Sequence, residues 1–287
     1  MPRIVGIHGI GQQYEAGPQL TASWLLALRG GLEAAGAREQ ADALADGSMR
    51  VAHFGALFRP SGSMSGGDPP YTEADLDSPA DRLLLEALME GAIRADPSLA
   101  APVGAMGPAR ASLNVMLETL LRWKPFAAVT RRAFIGNLRQ VNRFLDEPDT
   151  RSAVLERVAA EVTDDTRVVI GHSLGSVVAY EYLCRARPSS VKLFLTIGSP
   201  LGLPNVVFDR LDPRPQSGVG AWPGPKWVNV ADESDIVALR SVLGSLFAPP
   251  EGTPPISDRR VDNGNEPHRA ERYLTSEEVG SAVSEAL

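Results

Sequence analysis

The sequence predicts an α/β protein: one mostly parallel, doubly wound sheet with a helical insertion over it. Three observations predict it. Short, nearly continuous apolar runs recur at Ile4–Ile7, Val168–Ile170, Val191–Ile197 and Trp227–Ala231, the pattern of strands buried on both faces. Helical patterns lie between these runs, as βαβ crossovers require. No fixed-period repeat runs through the chain, which disfavours a solenoid or propeller.

The elements follow in order. Ile4–Ile7 is a strand that enters a Gly-rich turn. Pro18 to Ala35 reads as a helix and is followed by Gly36, a helix stop. A second strand is expected over Val51–Phe58. Pro60 to Pro70 is dense in Ser, Gly and Pro, a loop composition. Ser78-Pro79-Ala80-Asp81 then opens a helix with an N-cap residue, Pro at the first helical position and an acidic third residue. Leu84, Leu85, Leu88 and Met89 form one face of it. Leu113, Met116, Leu117, Leu120 and Leu121 recur at helical spacing, and a further helix is expected over Phe126 to Leu145. Residues 60–148 thus interrupt the alternation as a helical insertion, or cap, on a core formed by residues 1–59 and 149–287. Ordinary packing against the sheet explains such stripes more simply than a substrate-facing lid does. Ser173 to Arg187 is the helix after the Val168–Ile170 strand, stopped by Pro188.

The chain has 287 residues, 44% hydrophobic and 22% charged, enough to bury a core without disulfides or a metal. Cys184 is the single cysteine, which excludes an internal disulfide and a multi-cysteine metal site. It reads as a small core residue. No run of about 20 apolar residues exists, so no membrane-spanning helix is expected. The N-terminal residues pass directly into a strand pattern with no leader, and a cytoplasmic protein is the expectation. The net charge of −7 disfavours nucleic acid as a partner. The one basic cluster, Arg122, Lys124, Arg131, Arg132, Arg139 and Arg143, has the spacing of a solvated helical face.

The strongest chemical signal is Gly171-His172-Ser173-Leu174-Gly175, a G-x-S-x-G set between a buried strand and a helix. A turn that tight forces Ser173 into a strained conformation and leaves no room for side chains two residues away on either side. Its hydroxyl is then held above the sheet at a helix N-terminus, where developing negative charge is favoured. A serine needs a base, and there are four histidines. His172 adjoins Ser173 and should point the other way, as a turn-packing residue. His53 falls in the second strand, where a structural role is simpler. His8 ends the first strand. His268 remains, and the order Ser, then Asp or Glu, then His that accompanies this motif favours it too. For the residue that orients the imidazole, Asp232, Glu233 and Asp235 compete after the Lys226–Ala231 strand. Asp235 is preferred because it directly precedes an apolar pair expected to start a helix, with Asp232 in reserve; Asp258 and Asp262 lie too near the base. His8-Gly9-Ile10-Gly11 ends the first strand. It is suited to supply one oxyanion N–H from Ile10, with the second from Leu174. Gly9, Gly11 and Gln12 are expected to line the substrate pocket. No cofactor and no metal are expected.

With these residues in view, the chain resembles the α/β-hydrolase superfamily, particularly its lipase- and esterase-like members. Ile7-His8-Gly9-Ile10-Gly11, Gly171 to Ser176, Thr196-Ile197-Gly198-Ser199-Pro200-Leu201, Trp227-Val228-Asn229 with Asp235, and His268 with Tyr273-Leu274 carry the resemblance. It spans nearly the whole chain except the insertion. The resemblance implies an α/β-hydrolase fold and a Ser173–Asp235–His268 triad. The expected function is hydrolysis of a small-molecule carboxylic ester through an acyl-enzyme. An acyltransferase or cyclase would use the same intermediate, and a binding module would keep the fold without the chemistry.

Overall fold

The protein is described by a computed structural model covering residues 2–59, 71–103, 107–126, 129–215 and 222–287. It is an α/β structure on a six-stranded sheet: β1 (Ile4–Ile7), β2 (Met49–Ala52), β3 (Val168–His172), β4 (Leu193–Ile197), β5 (Lys226–Asp232) and β6 (Ser257–Val261). The strand order is β2-β1-β3-β4-β5-β6 and every neighbouring pair is parallel. The chain moves outward from β1 to β2, then returns to β3 on the other side of β1. The loops that leave β1 and β3 therefore diverge from a topological switch point, where a crevice opens. Ile7 stands opposite Gly171 in the register, which brings the His8–Gly11 turn beside His172 and Ser173.

The helices are α1 (Gly17–Ala34), α2 (Arg38–Ala43), α3 (Pro79–Ala95), α4 (Ala100–Val103), α5 (Leu113–Arg122), α6 (Arg131–Asp146), α7 (Pro148–Glu161), α8 (Leu174–Ala186), α9 (Ala270–Leu274) and α10 (Glu277–Ser284). Strand side chains alternate between two cores, as the pleat dictates. Val5, Ile7, Val169, Phe194 and Trp227 face α3 and α5–α8. Ile4, Val168, Ile170, Leu195 and Val228 face α1, α9 and α10. The result is a three-layer sandwich. Met116, Leu117 and Leu120 of α5 belong to the first core together with the sheet residues, so the helices of the inserted region share that core rather than forming one of their own.

Several boundaries differ from the sequence reading, each for a local reason. The second strand ends at Ala52, and Gly55–Phe58 is a short 3-10 helix. There the chain turns inward: the Phe54 N–H donates to His8 Nε2 at 3.1 Å, and a Cβ on Gly55 would stand 2.5 Å from the Gln12 carbonyl oxygen. The helix expected from Phe126 starts at Arg131, after the Thr130 N-cap accepts the Ala133 N–H. Helix α7 follows α6 almost directly, with Pro148 at its first position. Strand β6 was not foreseen. Ser257-Asp258-Arg259-Arg260-Val261 is half-exposed at the sheet edge, where charged residues are ordinary and no apolar run marks the strand. The expected loop at Pro60–Pro70 lies outside the described residues.

The basic cluster is largely engaged within the chain. Arg131 pairs with Glu73 and Glu118, Arg122 with Glu118, and Arg143 with Glu147; Arg139 donates to the Asp75 carbonyl. Among the described residues no helix is long and apolar enough to cross a membrane.

Candidate active site

The turn from β3 into α8 places Ser173 at φ 52°, ψ −130°, a positive-φ conformation that a residue with a Cβ adopts only under constraint. The constraint is visible around it. A Cβ on Gly171 would stand 2.5 Å from the Ser176 Cα, and one on Gly175 would collide with the Ile7 carbonyl. Nothing larger than glycine fits at either place. Gly9 closes the turn from the other side, since a Cβ there would approach within 2.7 Å of the Ser173 Cβ.

His268 reaches Ser173 from the loop after β6. The Ser173 hydroxyl donates to His268 Nε2 at 3.0 Å, and His268 Nδ1–H donates to Asp235 Oδ2 at 2.8 Å. These partners define the tautomer, because the Nδ1 proton faces a carboxylate. The three residues expected from sequence are thus brought together. Asp235 does not precede a helix as expected; residues 233–250 are turns and loops. Its Oδ1 instead closes the local turn, accepting the Val237 N–H at 2.9 Å and the Ala238 N–H at 3.4 Å. Asp232, the reserve, is turned away. Its carboxylate accepts the Ser234 and Asn263 N–H groups.

Tyr273 completes the carboxylate's surroundings. Its hydroxyl donates to Asp235 Oδ2 at 2.8 Å and accepts the Asp232 N–H at 3.0 Å. Burial pushes the Asp235 carboxyl up, but the His268 imidazole, the Tyr273 hydroxyl and the Val237 N–H outweigh it and hold the group below the ordinary carboxylate range. In the sequence Tyr273 stands out only through the resemblance. A tyrosine five residues after the base carries no spacing signal of its own.

His172 does not point away from the site. Its Nε2–H donates to the His268 carbonyl at 2.8 Å and its ring lies 4.8 Å from the His268 ring. Burial and the neighbouring His268 push it down to about 3, so it stays neutral. It packs the turn as expected, but on the side of the base.

His8 organises the other wall. Nε2 accepts the Phe54 N–H, so Nδ1 carries the proton and donates to the Gly9 carbonyl at 2.6 Å. Burial pushes this imidazole also down to about 3. The Gly9–Ile10 peptide is trans, so the Ile10 N–H points opposite to the carbonyl that His8 holds. The Ile10 and Leu174 N–H groups donate to no group among the described residues. His53 has the structural place expected of it, donating to the Gln12 carbonyl at 3.1 Å.

Ser173 and His268 open onto a cavity of about 650 Å³, of the size that holds small-molecule ligands. Gly9, Ile10, Gln12 and Leu174 line it. Gly11 does not; its N–H donates to Gln140 on α6 at 3.2 Å, which ties the turn to that helix. One wall is apolar: Leu84 and Leu88 from α3, Leu138 and Val141 from α6, Leu203 and Val207 after β4. The α3 stripe therefore serves both packing and cavity, whereas the Leu113–Leu121 stripe of α5 contributes only to packing. The rim near α1 and α9 is polar, with Glu15, Gln19, Ser23, Arg269 and Glu271. Cys184 is buried on α8 and pushed up to about 12 by that burial, which leaves it an inert thiol. Among the described residues no group of three or more His, Cys, Asp or Glu is placed to hold a metal ion. No family model, no curated protein and no solved structure matches this chain, which leaves the geometry above to carry the functional reading.

Proposed function

We propose that the protein is a serine hydrolase of the α/β-hydrolase type that cleaves a carboxylic ester through an acyl-enzyme. The observation that carries this reading is the continuous hydrogen-bonded line from the Ser173 hydroxyl through His268 to a buried Asp235, with Ser173 held at positive φ. Ser173 Oγ attacks the ester carbonyl while its proton passes to His268 Nε2. The carbonyl oxygen becomes an oxyanion, and the Ile10 and Leu174 N–H groups are the donors assigned to it. Collapse breaks the bond to the leaving alkoxide, which takes the proton from Nε2 and departs as alcohol. Water then attacks the acyl-enzyme and gives a proton to Nε2. The second collapse returns that proton to Ser173 and releases the acid. Asp235 remains ionised throughout and stabilises the imidazolium.

Hydrolysis is favoured over acyl transfer because the His268 side chain is 34% exposed, which gives water a path to the base. The test is turnover of p-nitrophenyl esters from butyrate to octanoate, with Ser173→Ala alongside. The variant should lose on the order of 10⁴–10⁶ in kcat, the scale of removing a catalytic nucleophile. Activity retained within about tenfold would remove Ser173 from the mechanism.

A further inference from the structure

The two N–H groups assigned to the acyl oxygen are held in different ways. Leu174 is the first residue of α8, and that helix fixes its direction. Ile10 lies in a turn between Gly9 and Gly11, the residue type with the most backbone freedom. A peptide unit is planar, so the aim of the Ile10 N–H is set by the peptide planes on either side of Ile10. Buried side chains hold both planes. His8 Nδ1–H donates to the Gly9 carbonyl at 2.6 Å, which fixes the plane that carries the Ile10 N–H. Gln140 Oε1 accepts the Gly11 N–H at 3.2 Å, which fixes the next plane. Gln140 Nε2 also donates to Gln13 Oε1 at 3.1 Å, so one amide grips the turn at two residues.

Gln140 comes from far along the chain. It lies on α6, in the stretch that interrupts the strand alternation, and is buried, as is Gln13. Its neighbours Leu138, Phe144 and Leu145 on the same helix fill the apolar core. A methionine at position 140 would occupy a similar volume, yet the amide there has both of its polar ends committed to the turn. Asn142, another buried amide of α6, makes a useful contrast. It donates to Asp81 Oδ1 at 2.7 Å and accepts from Arg210 at 2.9 Å, and neither partner belongs to the turn.

On the reading of Ser173 as an acyl-transfer nucleophile, we propose that Gln140 is a positioning residue for the oxyanion site. With His8 it locks the two peptides that flank Ile10, so that the Ile10 N–H is aimed at the acyl oxygen before the substrate arrives. Such donors act only when they already stand about 2.7–3.1 Å from the place the oxyanion will occupy. A displacement of about 1 Å can cost about a hundredfold in rate. Without Gln140, the Gly11 N–H loses its acceptor and the Ile10–Gly11 peptide is free to turn.

The test compares Gln140→Met with Asn142→Leu in p-nitrophenyl ester turnover, each rate expressed per Ser173 titrated with a fluorophosphonate. Gln140→Met should lose at least about tenfold in kcat, within the 10²–10³ of losing an oxyanion donor outright, with KM changed by less than about threefold. Gln140→Ala serves in case Met misfolds. Asn142→Leu should keep kcat within about threefold. A trifluoromethyl ketone reads the oxyanion directly: Ser173 Oγ adds to its carbonyl, the hydroxyl proton passes to His268 Nε2, and the oxygen becomes an alkoxide. Its inhibition constant in Gln140→Met should rise by the factor by which kcat/KM falls. The acid limb of the pH profile should not move, because His268 and Asp235 are untouched. Full kcat in the Gln140 variants, an equal loss in Asn142→Leu, or an unchanged inhibition constant would overturn the assignment. Failure of the hydrolase reading shows elsewhere, as absence of Ser173-dependent ester turnover in the unsubstituted chain.

Discussion

Asp235→Asn tests the site most sharply, because the structure dictates how the new amide must sit. Asp235 Oδ1 accepts two backbone N–H groups, while Oδ2 accepts the Tyr273 hydroxyl and His268 Nδ1–H. An asparagine has one oxygen. Placed at Oδ2, it would aim its NH₂ group at the Val237 and Ala238 N–H donors, two donor–donor contacts inside the protein. Placed at Oδ1, it keeps the turn and presents NH₂ to His268 Nδ1. The second arrangement costs less, and it forces the imidazole to carry its proton on Nε2. An Nε2–H cannot accept from Ser173. The expected loss is about 10⁴ in kcat, or about 5.4 kcal/mol of barrier at 1.36 kcal/mol per tenfold. Asp232→Asn is the control: it gives up an acceptor for Ser234 or Asn263, should cost about 1–2 kcal/mol of stability, and should lose less than tenfold in kcat. Both are read from ester turnover at saturating substrate, with thermal melts to show that the variants fold. An Asp235→Asn protein that folds and keeps activity within tenfold would refute the tautomer argument.

Three further outcomes follow from the same contacts. Tyr273→Phe removes one donor to Asp235 and leaves the buried Asp232 N–H unpaired, so thermal unfolding should show a loss of about 2–4 kcal/mol, with kcat falling far less than in Asp235→Asn. Gly9→Ala drives a methyl against Ser173 and should depress Ser173-dependent turnover by at least about a hundredfold, with the melt showing a loss of about 1–3 kcal/mol from the overpacked turn. Glu181 on α8 is fully buried beside Arg151 and Arg185, and burial pushes it up to about 7. A raised acid binds its proton more tightly in the folded state, so its contribution is fully present below the ordinary glutamate range and is lost as pH rises through about 7. That amounts to about 3 kcal/mol at 1.36 kcal/mol per pKa unit. Denaturant melts at pH 5 and pH 8 should show this loss of unfolding free energy in the unsubstituted chain and not in Glu181→Gln; the same pH-dependent loss in both proteins would contradict it.

The readable parts of the sequence were those where burial leaves little chemical choice. Strands β1, β3, β4 and most of β5 are covered on both faces, so their Val, Ile and Leu runs stand out. Ser173 was legible because its turn admits only glycine on either side. His268 was legible because the other three histidines had simpler places. What escaped was set by tertiary contacts. Edge strand β6 needs no apolar run. The second strand stops where Phe54 binds His8, a contact between residues 46 positions apart. His172 was read from chain adjacency alone, whereas the loop after β6 returns the His268 backbone to its ring. Tyr273 acts through partners that no local spacing encodes.

The central claim is that Ser173 is a nucleophile activated by His268. The most direct measurement is reaction of the intact protein with a fluorophosphonate, followed by peptide mass spectrometry. The account predicts one phosphonyl adduct per chain, on Ser173, formed rapidly in the unsubstituted protein and at least about a hundredfold more slowly in folded His268→Ala. An unlabelled Ser173, or labelling that is as fast without His268, would contradict it.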